Sequence, residues 1–468
     1  MPTPSSAARP DAGSANPPGE SPRPGALTRR LGLWSAVAVL VGSTIGSGIF
    51  RSPAGVTDKL PGPLPLLAVW AAGGLFALCG ALTIAELSGA FPETGGTYVF
   101  IREGWGRMPA FLFGWAELTL IRAASLGAIS TTFAEYFIRV LGHEPSVAPY
   151  SNYVHVVAAV AIVLTATFNY VGVRWGSLVQ NLTTLAKYGG LMFIILLALA
   201  IGLPRTGGHY TPAVPPGSFS LAPFGLALVS VLWAFDGWAD LSFVSGEVRD
   251  PRRNLPRAII IGVSAVIAIY LLANVAYLAV LPVDEIRHSK LVAADVAQRL
   301  LGSPGVVFVA CTVMLSTFGS LNGVLFTSPR IFFAMADDRL FFRRMAAVHP
   351  RFGTPYVSIL MVSAIGVVFV LLRSFESLSS SFVTAIVPFY ALGVGSVFIL
   401  RKRADYDPPF RAPFFPLVPT MFILASLFLL GNAILDPSSR WPTLGVLGVI
   451  LLGIPVYYLT VGRQAKAL

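Results

Sequence analysis

The chain is organised around one stretch, Val41-Gly42-Ser43-Thr44-Ile45-Gly46-Ser47-Gly48-Ile49-Phe50, in the middle of its first long apolar segment, residues 33–57. Each glycine costs a helix about 1 kcal/mol relative to alanine, so closely spaced glycines disfavour a continuous helix. In a bilayer, the backbone groups that a break exposes are tolerated only where protein or a water-filled cavity satisfies them. We therefore predict an interrupted helix whose exposed backbone forms a binding site. The alternative is close helix packing, because Gly42 and Gly46 form a GxxxG pattern.

The composition is that of a polytopic membrane protein. Hydrophobic residues make up 55% of the 468 residues and charged residues only 12%, whereas soluble domains carry about 25% charged residues. Because a spanning helix needs about 20 apolar residues, this content suffices for about twelve spans. The net charge of +11 does not indicate a nucleic-acid partner, because the basic residues lie in short runs between apolar segments. Positive-inside topology explains that placement better.

Twelve apolar segments follow one another along the chain and predict an all-α protein with twelve transmembrane helices. They cover residues 33–57, 64–91, 96–141, 151–172, 177–203, 221–247, 255–282, 304–336, 355–373, 379–400, 413–435 and 442–462. Residues 1–30 are rich in Pro, Ser, Ala and Gly without apolar periodicity, so we expect a disordered tail before a transporter domain at 31–462. Residues 463–468 form a second short tail.

The distribution of basic residues predicts the topology. An even number of spans places both termini on one side of the membrane. The connections on that side after the sixth, eighth and tenth segments carry Arg249, Arg252, Arg253, Arg257, Arg339, Arg343, Arg344, Arg351, Arg401, Lys402, Arg403 and Arg411. The opposite loops are sparser, with one cluster within residues 284–301. Since cytoplasmic loops are enriched in Lys and Arg, we expect both termini to be cytoplasmic and the chain to lie in the plasma membrane.

The sixth segment contains a second interruption, Leu232-Trp233-Ala234-Phe235-Asp236-Gly237-Trp238-Ala239-Asp240. An aspartate within an apolar segment is costly and indicates function. Interrupted segments at matching positions in two halves of a chain indicate the midplane site of a transporter. We therefore predict two structural repeats, residues 33–203 and 221–402, although the halves share no residue-level identity.

Together, the two breaks suit an α-amino acid. A half-helix that begins near Gly48 directs free N–H groups and a positive dipole end at an anion such as a carboxylate. Carbonyls freed before this half-helix, and those near Trp233 and Ala234, could accept from an ammonium group. No GxxxxGK, HExxH or GxSxG motif and no His/Cys cluster occurs, so we expect no cofactor, no metal and no enzyme activity.

At this point the chain resembles the amino acid–polyamine–organocation (APC) superfamily, and more narrowly its L-type amino acid transporter branch. Residues 42–50 resemble the signature of the first helix in that superfamily. Supporting stretches are Ala85-Glu86-Leu87, Glu93-Thr94-Gly95-Gly96, Leu120-Ile121-Arg122, Gly246-Glu247-Val248, Asn254-Leu255-Pro256, Ser316-Thr317-Phe318-Gly319-Ser320-Leu321-Asn322-Gly323, His349-Pro350 and Thr354-Pro355. The resemblance covers roughly residues 30–462. It implies a five-plus-five inverted repeat with discontinuous helices 1 and 6, two extra helices at 413–462, and alternating-access amino acid transport.

By position, the resemblance implies a substrate site formed by both breaks. Ile45, Gly46, Ser47 and Gly48 would bind the carboxylate of the substrate. The unwound piece Trp233, Ala234, Phe235 and Asp236 would receive its amino group, with Trp233 as an aromatic lid. Asp236 departs from the glycine or apolar residue that the resemblance leads us to expect. It could read a cationic side chain, pair with a neighbouring helix or carry a proton.

Lys187 lies in apolar company near the start of the fifth segment. It could snorkel to the membrane interface. In the similar family, however, a lysine here bridges helices 1 and 8, with Ser316 as the matching partner, and stands in for the sodium ion of sodium-coupled relatives. Lys187 could titrate and couple transport to protons, or remain charged and serve an exchanger.

Other charged residues in apolar segments are interpreted as structural. Glu117 and Arg122 are five residues apart and could pair with each other or with other helices. Glu86, Glu247 and Arg330 lie near helix ends on the cytoplasmic side, where gate or packing ion pairs are expected rather than substrate contacts.

The leading interpretation is a sodium-independent secondary active transporter of amino acids, either an exchanger or a proton symporter. Small to medium neutral substrates are favoured because Trp233 and Phe235 fill space. The alternatives are a carrier of amines or polyamines and a membrane sensor that binds an amino acid without moving it. Animal members of the similar branch join a heavy chain through a cysteine after helix 3. Residues 139–150 contain no cysteine, so we expect no disulfide-linked partner.

Overall fold

The computed structural model describes residue 29 and residues 31–171, 173–289 and 291–464, without the side chains of residues 173–182, 184, 186 and 462–464. The predicted tails, residues 1–30 and 463–468, lie largely outside this described part. Within it the backbone is helical, and its one β-type pairing is an isolated bridge between Leu31 and Val248. The prediction of an all-α polytopic protein is confirmed.

The helices of the first half run from the first predicted segment to the fifth. They are α1 (Leu33–Thr44), α2 (Gly48–Lys59), α3 (Pro63–Ala90), α4 (Thr97–Trp105), α5 (Arg107–Ala116), α6 (Arg122–Val140), α7 (Tyr150–Val171), α8 (Val173–Leu197) and α9 (Leu203–Thr206). Two π-helical turns, Glu117–Ile121 and Ala198–Gly202, join α5 to α6 and α8 to α9.

The second half contains the remaining helices. They are α10 (Leu221–Phe235), α11 (Asp240–Phe243), α12 (Pro251–Val280), α13 (Val283–His288), α14 (Val292–Leu301), α15 (Ser303–Asp337), α16 (Tyr356–Leu372), α17 (Phe375–Leu400), α18 (Leu417–Leu435), α19 (Arg440–Leu451) and α20 (Gly453–Gln464).

Every predicted apolar segment contains a helix. Among the described residues, nine helices are long and apolar enough to cross a membrane, and the bent pair α1 and α2 makes ten. The helices α10 and α16 are apolar but shorter than this criterion requires. The count of twelve crossings and the division into two repeats therefore remain predictions.

Both predicted interruptions are present. The axes of α1 and α2 are bent by 41° at residues 45–47. In the sixth segment α10 ends at Phe235, Gly237 adopts a φ of +105°, and the chain resumes as the short helix α11. A positive φ of this size favours glycine, because glycine alone has no Cβ to clash with the backbone.

The two breaks pack against each other backbone to backbone. A Cβ atom on Gly48 would lie 2.3 Å from Cα of Ala234, and one on Gly237 would lie 2.8 Å from the backbone nitrogen of Thr44. Both distances are shorter than any contact that a real Cβ atom makes. Helix α1 also packs on α12 and α15, while α2 packs on α10. The broken helices therefore form the centre of the bundle, and their glycines serve packing as well as the break.

Candidate functional site

The break after α1 leaves backbone carbonyls without helical donors. The last helical hydrogen bond runs from the N–H of Ile45 to the carbonyl of Val41 at 2.9 Å. Ile45 then adopts an extended conformation, with φ −74° and ψ 96°. The last carbonyls of a helix need partners from elsewhere. This need is acute in a membrane interior, where water is excluded.

Lys187 donates hydrogen bonds to two carbonyls of this break. Its ammonium nitrogen donates to the carbonyls of Gly42 at 2.7 Å and Ile45 at 2.8 Å, and it lies 3.2 Å from the hydroxyl oxygen of Ser320. The side chain is fully buried, so it does not snorkel to an interface. The expected bridge between the first and eighth segments is present. Its hydroxyl partner in α15 is Ser320, however, and the predicted Ser316 instead donates to the carbonyl of Ile45 at 3.4 Å.

Tyr270 of α12 joins the two breaks. Its hydroxyl lies 2.9 Å from the carbonyl oxygen of Thr44 and 3.0 Å from that of Ala234. The side chain is buried beside Trp70 and Phe235, with ring centroids 5.6 Å and 5.1 Å away. Sequence reasoning did not single out Tyr270. A tyrosine in an apolar segment carries no local signal of which distant carbonyl it will meet.

The start of α2 retains the features that suit an anion. No side chain caps the helix through a hydrogen bond at Ser47. The first N–H groups of any helix lack an acceptor within the helix, and the positive end of its dipole lies at the same point. The carboxylate site expected at Gly46, Ser47 and Gly48 therefore has unused donors beside it.

At the second break, Asp236 faces the bundle rather than lipid. Its Oδ1 accepts a hydrogen bond from the hydroxyl of Tyr390 of α17 at 2.8 Å. Trp238 packs on the Tyr390 ring, with centroids 4.8 Å apart. Pairing with a neighbouring helix, one of the three roles considered for Asp236, is thus realised through a neutral partner. The other two roles stay open.

A buried charge cluster lies next to Asp236. The guanidinium of Arg122 binds Glu117 at 2.5 Å and lies 3.7 Å from Oδ1 of Asp240. The π-helical turn explains why residues five apart meet, because the N–H of Arg122 donates to the carbonyl of Glu117 one residue further back than in an α-helix. Sequence reasoning anticipated the Glu117–Arg122 pair but not its third member. Among the described residues, Oδ1 of Asp240 has no hydrogen-bond partner beyond this ion pair.

A small cavity is lined by residues of both breaks. It has a volume of about 30 Å³, enough for roughly one or two water molecules and too small for an amino acid. It is lined by Ser43, Thr44, Gly46, Ser47, Gly48, Ser125, Ile129, Trp233, Asp236, Asp240, Ser320 and Val324. Five of the eight predicted substrate residues belong to this lining. Their role in substrate binding stays a prediction, and in this structure the cavity that they line is too small for an amino acid.

The other three predicted substrate residues lie around the cavity without lining it. The carbonyl of Ile45 accepts from Lys187 and the carbonyl of Ala234 accepts from Tyr270. The ring of Phe235 points away into an aromatic cluster, 5.9 Å from Trp70. The carbonyls expected to receive a substrate ammonium group are thus engaged with protein donors in this form.

Trp233 is the wall between the central cavity and a larger one. It lines both the small cavity and a vestibule of about 520 Å³ on the opposite side, with Arg51, Phe375 and Glu376. Its ring packs edge-on against Phe375 and Phe382, with centroids 6.0 Å and 5.2 Å away. This is the position that a lid over the site would occupy.

Ion pairs close both ends of the bundle. At the end where α1 begins, called here the N-terminal face, Glu247 binds Arg330 at 2.9 Å and Asp338 pairs with Arg102. At the other end, called the vestibule face, Arg51 of α2 pairs with Glu135 of α6 and with Glu376 of α17. The buried guanidinium of Arg51 also stacks on the Phe375 ring at 4.1 Å.

Glu86, the third acid expected near a helix end, is also paired. It binds Arg401 at 2.6 Å and accepts from the Tyr406 hydroxyl at 3.0 Å. Neither it nor the Glu247–Arg330 pair lines the central cavity. Within the described part of the chain, no group of three His, Cys, Asp or Glu residues has a geometry that could hold a metal ion.

Two interrupted helices that enclose a polar cavity at the centre of a helical bundle define the arrangement of a discontinuous-helix secondary transporter. The profile of the amino acid permease family matches residues 31–454 of the chain. This protein therefore belongs to the amino acid permease family, and the resemblance to the L-type branch of the APC superfamily is confirmed.

Similar proteins include bacterial and animal transporters. The serine/threonine exchanger SteT of Bacillus subtilis is 32% identical over 94% of this chain and 98% of its own length. The human b(0,+)-type amino acid transporter 1 is 33% identical over 94% of this chain and 90% of its own length. The human large neutral amino acids transporter small subunit 2 is 32% identical over 94% and 82%, respectively.

Proposed function

We propose that this protein is a sodium-independent secondary active transporter that exchanges α-amino acids across the plasma membrane by alternating access. Amino acid transport is the common function of the family and of the similar proteins named above. Exchange is favoured over proton symport because one of these relatives is itself an exchanger.

Sodium independence rests on one observation, the position of the Lys187 ammonium group. A sodium ion at the first break would need carbonyl oxygens as ligands, since hard cations bind oxygen donors. The carbonyls of Gly42 and Ile45 already accept from Lys187, and the hydroxyl oxygen of Ser320 lies beside the same nitrogen. A fixed ammonium group thus provides the positive charge, and no dissociable cation is required.

The substrate carboxylate would bind the N–H groups at the start of α2, and the substrate side chain would extend towards Trp233 and Asp236. Trp233 fills space on one side of the cavity, which favours small to medium neutral amino acids. Acids outnumber bases around this side of the cavity, with Glu117, Asp236 and Asp240 facing the single guanidinium of Arg122. This acidic excess favours acceptance of cationic amino acids as well.

The transport cycle would open one face at a time. The vestibule above Trp233 leads to the extracellular side, and the arginine-rich N-terminal face is cytoplasmic, which places both termini in the cytoplasm. Substrate entry from outside would require Trp233 to leave Phe375 and Phe382 and the Arg51 pairs to separate. Release inside would require the Glu247–Arg330 and Arg102–Asp338 pairs to separate.

The test is counterflow in proteoliposomes that contain the purified full chain. Uptake of labelled amino acid should require unlabelled amino acid inside and should proceed equally in sodium, potassium and choline buffers. A strict sodium requirement would contradict the role of Lys187. Uptake that is driven by an imposed pH gradient, without amino acid inside the vesicles, would show proton symport instead of exchange.

The same preparation separates the two alternative functions. Decarboxylated analogues should compete poorly if the carboxylate site at α2 is used, and strong competition by them would favour an amine or polyamine carrier. Saturable binding of amino acids without counterflow would favour a sensor.

A further inference from the structure

A second large cavity lies on the N-terminal face, away from the substrate site. It has a volume of about 750 Å³ and lies between α5, the loop after α15, the start of α16 and the end of α20. Three arginines of the loop, Arg339, Arg343 and Arg344, line it together with Phe111 and Met361. No acidic side chain belongs to its lining.

The three arginines differ from other arginines on this face. Arg102, Arg330 and Arg401 each pair with a carboxylate. In the described part of the chain, Arg339, Arg343 and Arg344 have no ion pair and no side-chain hydrogen bond, and all three are exposed. Three unpaired guanidinium groups around one cavity form a site for an anion with several oxygens, because each guanidinium can donate two hydrogen bonds to such a group.

Apart from Thr460, the remainder of the lining is apolar. Phe111 and Val461 form the buried part of this wall, and Met361 reaches the outside of the bundle. Met361 is 40% exposed and Phe342 is 51% exposed, on elements at the outside of the bundle. Since the cavity lies at the ends of membrane-crossing helices, it lies at the depth where lipid headgroups meet acyl chains. A soluble anion would need the arginines but not this apolar wall.

We propose that the cavity binds one anionic phospholipid from the leaflet on the N-terminal face. Its phosphate group lies on Arg339, Arg343 and Arg344, and its acyl chains lie along Phe111, Met361 and Val461. Basic pockets between transmembrane helices are known to suit anionic headgroups, and each cation near such a surface contributes about 1 kcal/mol. The combination of a cationic rim and an apolar wall selects a lipid over free phosphate.

The site is next to the closure of the N-terminal face. Asp338, which pairs with Arg102 and accepts from the Tyr98 hydroxyl at 2.6 Å, directly precedes Arg339. Arg339 adopts a φ of +55°, a left-handed conformation that is strained for a residue other than glycine. A lipid phosphate that holds the arginine side chains would hold this turn, and through Asp338 the ion pair that closes the face.

The test measures lipid binding to the purified full chain by native mass spectrometry and by thermal unfolding. The added probes are phosphatidylglycerol, phosphatidylcholine and inorganic phosphate. The test variant is Arg339→Gln/Arg343→Gln/Arg344→Gln. The matched control is Arg249→Gln/Arg253→Gln/Arg257→Gln, which removes the same charge from exposed residues of the same face outside the cavity.

We expect the wild type and the control to retain one phosphatidylglycerol in preference to phosphatidylcholine, with a raised unfolding temperature. The test variant should bind phosphatidylglycerol about 100-fold more weakly, as the loss of three cations implies. Equal retention by the test and control variants would overturn the proposal. Equal stabilisation by inorganic phosphate and by phosphatidylglycerol would overturn the lipid assignment.

A second variant guards against misfolding of the triple substitution. Met361→Trp fills the apolar part of the cavity and leaves the arginines in place. It should also lose the tightly held lipid while it unfolds at the wild-type temperature in phosphatidylcholine. Full retention of lipid in this variant would show that the lipid does not bind in this cavity, which would overturn the proposal. None of these readouts depends on transport, so the outcome is independent of the proposed function.

Discussion

The two helix breaks at the centre of the molecule satisfy their polar groups in different ways. At the first break the polar groups are backbone carbonyls, and those of Gly42, Thr44 and Ile45 have protein partners in Lys187 and Tyr270. At the second break the carbonyl of Ala234 also has a partner in Tyr270, but polar side chains remain: among the described residues, Oδ1 of Asp240 and the indole nitrogen of Trp233 have no hydrogen-bond partner.

This difference separates two roles. The carbonyls of the first break are held in one geometry by buried donors, so that break provides a fixed frame and, in the proposed site, the end that would bind the carboxylate. At the second break Oδ1 of Asp240 has only its 3.7 Å ion pair with Arg122, and Trp233 and Asp240 both line the cavity, so in the proposed site a substrate would supply the missing hydrogen bonds. Among the described residues, the hydroxyl of Ser43 at the first break also has no hydrogen-bond partner, but it belongs to a side chain and not to the backbone frame. Discrimination between amino acids is therefore expected at the second break.

The largest expected effect is that of Lys187→Ala on the first break. The substitution removes the two ammonium hydrogen bonds to Gly42 and Ile45, each worth about 1.5–3 kcal/mol for a charged donor. Counterflow should fall to background while membrane insertion, measured by expression and size-exclusion profile, stays normal. The control is Gly189→Ala on the same helix, where an added Cβ meets nothing within 4 Å. Wild-type uptake by the Lys187 variant would contradict the fixed frame.

The next effect is that of Gly48→Ala on the contact between the breaks. The new Cβ would lie 2.3 Å from the Ala234 backbone, which has to move away. Overpacking of this kind costs about 1–3 kcal/mol, so the counterflow rate should fall about tenfold or more. In Gly55→Ala on the same helix, the new Cβ lies 3.6 Å from the Ser230 hydroxyl, an ordinary contact, and the rate should hardly change. Equal rates in both variants would show that the close contact between Gly48 and Ala234 is not needed for transport.

A smaller and selective effect is expected for Asp236→Asn at the second break. The substitution keeps the shape of the side chain and removes its charge. Counterflow of cationic amino acids should fall about tenfold, the equivalent of one charge-assisted hydrogen bond, while that of neutral ones stays within about twofold. Tyr390→Phe, which keeps the carboxylate and removes only its 2.8 Å hydrogen bond, should preserve the cationic substrates. A uniform loss over all substrates would assign Asp236 a structural role instead.

The smallest effect is expected for Arg51→Gln on the vestibule face. Breaking its pairs with Glu135 and Glu376 favours the open form of that face, which lowers the apparent KM for substrate from that side. The change should be about two- to fivefold, since Glu376 is 70% exposed and an ion pair with an exposed partner is worth about 1 kcal/mol or less. Arg287→Gln, which removes an exposed pair with Asp58 in the same vestibule, should leave KM unchanged. The same KM in both variants would show that Arg51 does not hold the face closed.

Local chemistry was enough to predict much of the first break. Glycines at 42, 46 and 48 disfavour a helix wherever they occur, and a lysine in apolar surroundings needs acceptors. These facts predicted the interruption. Together with the resemblance, they also predicted that Lys187 contacts the first segment. Ser316 and Ser320 lie one helical turn apart on the same face of α15, and only the packing distance decides that Ser320 lies beside the Lys187 ammonium group while Ser316 contacts the carbonyl of Ile45.

The second break shows what sequence alone could not determine. The aspartates at 236 and 240 mark a costly site in any apolar segment. Their partners Tyr390 and Arg122 lie far away in the chain, and a π-helical turn decides where Arg122 points.

The helical class, the places where two helices break, and the residue types suited to a carboxylate and an ammonium group could be predicted from the residues alone, because they depend on neighbours a few residues away. The carbonyls that already have partners, the backbone contact of Gly48 with Ala234 and the position of Trp233 between two cavities became known only from the folded chain. Those facts depend on distances between segments more than 100 residues apart, and close packing, rather than local propensity, sets such distances.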